Sequence, residues 1–229
     1  MIPVRSDVDE LHTLDVQDGL RVSARLALPA RARACYVLAH GAGAGMDHPF
    51  LRASAEELGA LGFATLRYQF PYMERRSRRP DPPPLCHAAV RAAVAAAARL
   101  APALPLFAGG RSFGARMTSQ AQALEPLVGV RGLAFLGFPL HPAGRPSDTR
   151  AEHLARVHIP MLFVQGTRDA LAERARLEAL MRRLGGQATL SLVDEADHSF
   201  HVPARTGRQD AEVRSALLHV LCTWMDSLL

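Results

Sequence analysis

The sequence contains no lysine, so arginine supplies all 27 basic residues, and the formal net charge is +5. Arginine binds phosphate and carboxylate groups in a bidentate way, so its abundance could serve recognition. The arginines are nevertheless spread along the chain, which favours a bias of composition, and the one cluster is Arg75-Arg76-Ser77-Arg78-Arg79. Aromatic residues make up only 6% of the chain, whereas nucleic-acid binding favours a basic face with interleaved aromatics. We therefore expect no nucleic-acid partner.

Cysteine is scarce as well. Cys35, Cys86 and Cys222 follow no zinc or redox spacing, and their odd number excludes a complete set of disulfide pairs. Cys35 and Cys222 stand among apolar residues, which is typical of small buried side chains. This use of cysteine favours a reducing compartment.

Long hydrophobic runs are also absent. No segment approaches the roughly eighteen uninterrupted apolar residues of a membrane-spanning helix. Residues 1–7 lack the apolar run of a secretory signal peptide. We therefore expect a cytoplasmic protein without a membrane partner.

The remaining composition is that of a globular protein, with 48% hydrophobic and 21% charged residues among 229. We predict one domain over residues 1–229, because neither an internal repeat nor a second regime of composition divides the chain. Short apolar runs bounded by glycine and proline predict buried strands. These runs cover residues 35–39, 63–70, 104–109, 132–138, 160–165 and 188–193.

The stretches between these runs predict helices at residues 49–61, 85–100, 113–124, 171–184 and 208–228. An Asp18-Gly19 turn predicts an N-terminal β-hairpin from residues 11–16 and 20–28. The prolines at positions 80–84 predict a loop within residues 73–84, and residues 140–149 predict another. Repeated β-α units predict an α/β fold with a mostly parallel central sheet and helices on both faces. No insertion is long enough for a large lid domain.

A glycine-rich pentapeptide follows the third predicted strand. Gly110-Arg111-Ser112-Phe113-Gly114 lies between a strand and a helix, which is the context of a nucleophile elbow. The glycines would let the turn pass close to the neighbouring strand and helix. A structural β-α turn or a phosphate-binding loop is the alternative, but the P-loop pattern is absent. We predict Ser112 as the nucleophile.

Two later strands end in loops with an acid and a base. Asp169 follows strand 160–165, at the edge where ligand-binding groups of open α/β sheets collect, and would orient an imidazole or cap a helix. His198 follows the last strand and is the predicted general base. The chain order Ser112, Asp169, His198 is that of α/β-hydrolases. The rival acids and the rival base on the same loop are Asp194, Glu195, Asp197 and His201.

An oxyanion hole needs two backbone N–H donors. One is expected from Phe113, directly after Ser112 at a helix N-terminus. The other is expected from the loop His40-Gly41-Ala42-Gly43-Ala44-Gly45, where we predict Ala42, with Gly43 as the alternative. A flexible phosphate-binding loop is the competing interpretation, but neither G-x-G-x-x-G nor an acidic residue suited to a ribose is present.

The chain resembles the α/β-hydrolase superfamily in His40-Gly41-Ala42-Gly43, in the elbow around Ser112, in Gly166-Thr167-Arg168-Asp169 and in Asp197-His198-Ser199-Phe200. Residues 46–50, 70–73, 110–116 and 137–142 are similar to a small dienelactone-hydrolase-like set. That set includes a testis-expressed hydrolase-like protein and the hydrolase-like subunit of the non-specific-lethal acetyltransferase complex. The resemblance runs from about residue 40 to residue 201.

The resemblance implies the fold, a triad of Ser112, Asp169 and His198, and the oxyanion loop, but no particular substrate. Dienelactone hydrolases proper use a cysteine nucleophile where this chain has Ser112. The elbow continues as Gly114-Ala115, where relatives often have two glycines, and this mild change should leave activity intact.

Further side chains near the predicted edge could contact substrate or could serve the structure alone. His48 and His141 lie on predicted loops, Tyr72 lies in an apolar Phe-Pro-Tyr-Met segment, and Arg111 lies in the elbow. The arginines that could bind an acidic substrate group or make structural bonds also include Arg67, Arg75 and Arg116.

We therefore expect a serine hydrolase that cleaves a small ester, thioester or related acyl bond through an acyl-enzyme. Its partner would be a small-molecule acyl substrate, and it would need no cofactor and no metal. A catalytically idle binding or scaffold module on the same fold is the alternative, and a small serine peptidase is a further one. The chain could also form a homo-oligomer.

Overall fold

The structure is a computed structural model that describes residues 9–77 and 79–229. The N-terminal segment in which we expect no signal peptide, residues 1–7, lies outside the described residues. Arg78 of the arginine cluster lies outside them as well. The assignment of residues 1–229 to one domain stays a prediction.

The N-terminal hairpin is confirmed. Strand β1 (Asp9–Gln17) pairs antiparallel with β2 (Leu20–Ala27). Asp18 and Gly19 form the connection with φ angles of 48° and 73°. Two consecutive positive φ angles are the signature of the tight turn whose twist matches that of the flanking strands, and Asp-Gly is a favoured pair there.

Eight strands form one sheet in the order β1-β2-β4-β3-β5-β6-β7-β8. The hairpin joins it through an antiparallel pairing of β2 with β4, and every pairing from β4 to β8 is parallel. The predicted mostly parallel sheet is therefore confirmed. The strands after the hairpin are β3 (Ala34–Ala39), β4 (Phe63–Tyr68), β5 (Leu106–Arg111), β6 (Val130–Leu136), β7 (Met161–Gly166) and β8 (Ala188–Val193).

Helices cover both faces of the sheet, and each face buries its own apolar cluster. One cluster includes Val90 and Met117, and the other includes Leu51 and Leu217. Two covered faces explain why the central strands are apolar throughout instead of alternating. The helices are α1 (Pro49–Ala60), α2 (Pro71–Glu74), α3 (Pro83–Leu100), α4 (Phe113–Leu124), α5 (Arg174–Leu184) and α6 (Asp210–Asp226), with a 3₁₀ segment at Thr149–Arg156.

Several predicted boundaries were wrong. Pro83 and Pro84 belong to the first turn of α3 and not to a loop, because the first helical N–H groups need no intrahelical acceptor and proline has the helical φ. Residues 110 and 111 continue β5, because Gly110 lacks the Cβ that would lie 2.4 Å from the Ala39 carbonyl oxygen and so can pair with β3. The loop prediction for residues 73–84 also missed the end of α2.

Cys35, Cys86 and Cys222 are all buried and unpaired, as predicted for two of them. Among the helices of the described ranges, none combines the length and the apolar character that a bilayer crossing requires.

Candidate active site

The strands β3, β5, β7 and β8 run in parallel, so the loops that follow them emerge at one edge of the sheet. Ser112 directly follows β5, Asp169 lies in the loop after β7, and His198 lies in the loop after β8. The carboxyl edge of an open α/β sheet is where such folds collect their functional groups. The topology therefore brings three residues from distant parts of the sequence to one place.

Ser112 lies in a strained turn between β5 and α4. Its φ of 51° and ψ of −110° are unfavourable for a residue with a Cβ, and such strain is found at functional sites. A Cβ at Gly110 would lie 2.4 Å from the Ala39 carbonyl oxygen, and one at Gly114 would lie 2.7 Å from the Ala39 backbone. Glycine at these two positions thus permits the close approach to β3 that the turn requires.

A chain of hydrogen bonds connects the serine with the acid. His198 Nδ1 lies 2.7 Å from Asp169 Oδ2, and His198 Nε2 lies 2.8 Å from Ser112 Oγ. A carboxylate accepts and cannot donate, so Nδ1 carries the proton and Nε2 accepts from the serine hydroxyl. A Cβ on Gly137 would lie 3.5 Å from the His198 ring, an ordinary contact distance, so the ring packs against the loop after β6.

Buried hydrogen bonds hold the Asp169 carboxylate. Its side chain has no exposed surface, and its Oδ1 accepts from the Leu171 amide at 2.8 Å. Its Oδ2 accepts from the side-chain amide of Gln165 as well as from His198. Gln165 is itself buried and accepts from the Phe138 amide at 2.9 Å, which fixes which way its amide points. Sequence reasoning missed Gln165, although a glutamine inside an apolar strand is a signal for a buried polar partner.

The rival groups on the histidine loop are engaged elsewhere. Asp197 Oδ1 accepts from the amides of Ser199 and His201, so this carboxylate shapes the turn that presents His198. The His201 ring is 63% exposed and pairs with Asp210, which raises its pKa. The other two acids are partners of surface groups, Asp194 of Thr167 and Glu195 of Arg205.

The backbone amides of Ala42 and Phe113 lie beside Ser112 and donate to no acceptor among the described residues. The Gly43 amide, by contrast, donates to the Tyr72 hydroxyl at 3.1 Å. Ala42 therefore suits an oxyanion donor better than the alternative Gly43. The loop is close to the serine, since a Cβ on Gly41 would lie 3.8 Å from that of Ser112.

His40 fixes the start of this loop. It is buried, its Nδ1 lies 2.7 Å from the Gly41 carbonyl oxygen, and its Nε2 accepts from the Phe70 amide at 3.1 Å. Burial lowers the pKa of His40 to about 4, so the ring is neutral near pH 7. A neutral ring with one donor and one acceptor fits both contacts, and it ties the loop after β3 to the segment after β4.

Two of the four residues proposed to contact substrate line the cavity at Ser112, namely His48 and Arg111. The other two are buried away from it. His141 is 1% exposed, its Nδ1 contacts the Pro142 carbonyl, and its Nε2 accepts from the Glu173 amide. Tyr72 has no exposed surface, and its hydroxyl accepts from Gly43. The polar atoms of His141 and Tyr72 already bind loop backbone, so the structure gives these two residues a supporting role, and their contact with substrate stays a prediction.

The other arginines considered do not line this cavity. The buried Arg67 donates to the Met46 carbonyl and pairs with Asp9, so it supports the loop that follows the glycines. Arg75 pairs with Asp81. Burial lowers the pKa of Arg116 to about 10, and this side chain lies near Arg150.

The cavity at Ser112 has a volume of about 350 Å³ and is open to solvent. Its lining residues are Gly41, Ala42, Gly43, Ala44, His48, Arg111, Ser112, Leu171 and His198. Within residues 9–77 and 79–229, no three His, Cys, Asp or Glu side chains converge in a way that could hold a metal ion. The arrangement combines a hydroxyl, an imidazole, a carboxylate and two amides, which are the parts needed for nucleophilic acyl transfer.

Solved structures share this fold. A dienelactone hydrolase from Anabaena variabilis superimposes with a TM-score of 0.77 at 21% identity, covering 97% of this chain and 98% of that one. A Xanthomonas campestris protein described as an α/β serine hydrolase without a lid gives a TM-score of 0.73 at 22% identity, with 97% of each chain covered. At these identities the likeness concerns the fold, and it agrees with the absence of a large lid domain.

A curated relative from Mycobacterium tuberculosis, whose name gives it as a proposed phosphoribosyl transferase, is 31% identical over 189 residues. The match covers 80% of this chain but only 40% of that protein. The chain thus spans less than half the length of the curated relatives it matches.

The family model of the alpha/beta hydrolase domain matches residues 32–226, which include the glycine-rich loop, the elbow and both later loops. The narrower resemblance to a dienelactone-hydrolase-like set with a histone-acetyltransferase subunit stays a prediction. The chain belongs to the alpha/beta hydrolase domain family.

Proposed function

We propose that the chain is a serine hydrolase that cleaves an ester, thioester or related acyl bond through an acyl-enzyme. The observation that most strongly supports this proposal is the hydrogen-bonded sequence from Ser112 through His198 to Asp169. The same geometry argues against an idle scaffold, which would have no need for a strained serine beside two amides without acceptors.

Ser112 would attack the acyl carbon while His198 Nε2 takes the hydroxyl proton. The carbonyl oxygen would become an oxyanion bound by the Ala42 and Phe113 amides, each worth about 3 kcal/mol of transition-state stabilisation. The imidazolium would then give its proton to the leaving oxygen or sulfur, which departs and leaves the acyl-enzyme. Water would attack this ester in the reverse sense and return the hydroxyl to Ser112.

Asp169 would act in both halves of the reaction. Its carboxylate holds the Nδ1 proton of His198 and would stabilise the positive charge that forms on the ring. Because Gln165 and the Leu171 amide also donate to the carboxylate, it has little freedom to turn away from His198.

A fluorophosphonate probe tests the proposal, since it phosphonylates activated serines. We expect the wild-type protein and Ser119→Ala to be labelled and Ser112→Ala to remain unlabelled. Ser119 is the matched control, because it lies on the adjoining helix and also contacts a histidine. Equal labelling of all three proteins, or no labelling of any, would contradict the proposal.

A further inference from the structure

Arg111 is the last residue of β5 and directly precedes Ser112, and its side chain lines the cavity at that serine. Its guanidinium carbon lies 4.8 Å from the centroid of the Phe50 ring. Phe50 in turn stacks on the buried Phe200 with a centroid distance of 6.0 Å. The aromatic pair thus supports one face of the guanidinium, while the N–H groups at its edge stay available to bind an anion.

The charge of Arg111 has no partner among the described residues. Its Nε is buried without a hydrogen-bond acceptor, and burial lowers its pKa. The carboxylates of Asp197 and Asp169 raise that pKa, but both bind other groups, Asp169 the His198 ring and Asp197 the amides of the histidine loop. A partly buried cation without a partner is costly, which makes it a site that an anionic ligand group would satisfy.

His48 adds a neutral donor to the same cavity. Its Nδ1 accepts from the Phe50 amide at 3.2 Å, so the neutral ring carries its proton on Nε2, which has no acceptor in the described part of the chain. Burial and the charge of Arg111 lower the pKa of His48, and both keep the ring neutral. One cation and one neutral donor match the single charge of a carboxylate better than the two charges of a phosphate monoester.

We propose that the acyl substrate of this site carries a carboxylate, which the Arg111 guanidinium binds with the Nε2–H of His48 as a second donor. This inference rests on the serine hydrolase function proposed above. The substrate class is then that of half-esters or half-thioesters of dicarboxylic acids, in which one carbonyl reacts at Ser112 and the other end is recognised as an anion.

Matched ester pairs test the inference. The monomethyl esters of succinate, glutarate and adipate are compared at pH 7.5 with their dimethyl esters, with hydrolysis followed by acid release. We expect the wild type to prefer at least one half-ester by about 10-fold or more in kcat/KM, mostly through KM. Arg111→Gln should lose that preference, because its kcat/KM should fall about 10-fold further on the half-ester than on the dimethyl ester.

Arg168→Gln is the matched control, because Arg168 lies at the same edge, is about half exposed and pairs with Glu195 outside the cavity. It should keep the wild-type preference. Arg111→Lys keeps the charge without the bidentate fork and should show an intermediate preference, so it replaces Arg111→Gln if that variant does not fold. A wild type that prefers the dimethyl esters, or a preference that survives at full size in both Arg111 variants, would overturn the inference.

An ester that carries a phosphate tests whether the site recognises a phosphate instead of a carboxylate. If 2-acetoxyethyl phosphate has a higher kcat/KM than every half-ester, and this advantage depends on Arg111, the assignment to a carboxylate is wrong. Fluorophosphonate labelling distinguishes a failure of the carboxylate inference from a failure of the proposed hydrolase function. A protein that labels at Ser112 and hydrolyses esters without any preference refutes the carboxylate alone, whereas a protein that neither labels nor hydrolyses refutes the proposed function.

Discussion

The molecule contains two serine–histidine contacts of the same length, and only one of them has the surroundings of a catalytic site. His198 Nε2 lies 2.8 Å from Ser112 Oγ, and His153 Nε2 lies 2.8 Å from Ser119 Oγ. Both serines are positioned by α4, one at its N-cap and one two turns further on. The contact itself therefore does not distinguish a nucleophile from a structural hydroxyl.

The groups around each histidine distinguish the two pairs. His198 has a buried carboxylate on its other ring nitrogen, whereas His153 lies near the positive charges of Arg116 and Arg156. Burial, followed by these charges, lowers the pKa of His153 to about 4. A ring that is hard to protonate would be a poor base for a reaction in which it must take up a proton.

The positions of the two serines differ as well. Ser112 lies in a strained turn at the carboxyl edge of the sheet, beside amides without acceptors, while Ser119 is fully buried inside a regular helix. Its hydroxyl also contacts the Arg116 carbonyl at 3.0 Å. The cavity near His153 is in fact the larger one, about 530 Å³ against about 350 Å³ at Ser112. Cavity size alone would thus indicate the wrong pair.

Removing the hydroxyl of Ser112 or of Ser119 should give the largest difference in activity between the two pairs. We expect Ser112→Ala to lower kcat/KM on a simple ester by about 10⁴-fold or more, because the proposed nucleophile is lost. Ser119→Ala should stay within about twofold and lose roughly 1 kcal/mol of stability with its buried hydrogen bond. Steady-state ester hydrolysis and urea unfolding measure the two effects. A large activity loss in Ser119→Ala would remove the distinction between the pairs.

Changing the carboxylate partner should have the next largest effect. Asp169→Asn can no longer hold the Nδ1 proton of His198 in the same way, and we expect kcat to fall on the order of 10³- to 10⁴-fold. Asp197→Asn is the matched control, since an amide oxygen can still accept from the Ser199 and His201 amides. It should stay within a few-fold of the wild type. The reverse order of the two losses in kcat would show that Asp197 is the working acid.

The oxyanion loop should respond more moderately. Tyr72→Phe removes the acceptor of the Gly43 amide and loosens the loop that presents Ala42. We expect kcat to fall by about 10-fold with KM nearly unchanged, because the loop would act on the transition state. An unchanged kcat would show that the loop keeps its geometry without this hydrogen bond, whereas a rise in KM alone would point to substrate binding.

Lowering the pH should reduce the free energy of unfolding, because two histidines stay neutral in the folded protein where the unfolded chain protonates them. The pKa of both His40 and His153 lies near 4 in the folded protein, below the ordinary value of 6.5. The unfolded chain therefore binds more protons between pH 6.5 and about 4, and the free energy of unfolding falls as the pH drops through that window. The loss is at most about 3 kcal/mol for the deeply buried His40, and less for the partly exposed His153.

His153→Gln tests the contribution of His153 to this pH dependence, because it removes the titrating ring while the glutamine amide can still form a hydrogen bond with Ser119. The variant should unfold with a shallower dependence on pH from 6.5 to 4 than the wild type, and its ester hydrolysis at pH 7.5 should be unchanged. Urea titrations across this pH range provide the measurement. An equal pH slope in both proteins would contradict the assignment of a neutral His153 ring in the folded protein.

Local patterns predicted much of this molecule. The Asp18-Gly19 turn, the alternation of strands and helices and the strand–turn–helix around Ser112 depend on neighbouring residues, and the sequence displays them directly. The loops of Asp169 and His198 could be placed because both follow strands, whose carboxyl ends share one edge in a parallel sheet. Their catalytic roles stay predictions.

Contacts between distant segments could not be predicted. Gln165 supports Asp169 only because the loop after β6 supplies the Phe138 amide, and Tyr72 supports the glycine-rich loop only because α2 packs beneath it. The burial of His141 could not be predicted either, because the sequence shows that this residue lies on a loop but not that the loop packs over its side chain. The helical start at Pro83 is not visible in the sequence, because a run of prolines indicates a loop although proline is tolerated in the first turn of a helix.

The most direct test of the central claim is to locate the fluorophosphonate adduct by peptide mass spectrometry. Trypsin cleaves after Arg116, so it separates Ser112 from Ser119, which lies in the peptide that begins at Met117 and ends at Arg131. We expect one phosphonyl adduct, on Ser112, in the peptide that ends at Arg116. An adduct on Ser119, or on any serine other than Ser112, would contradict it.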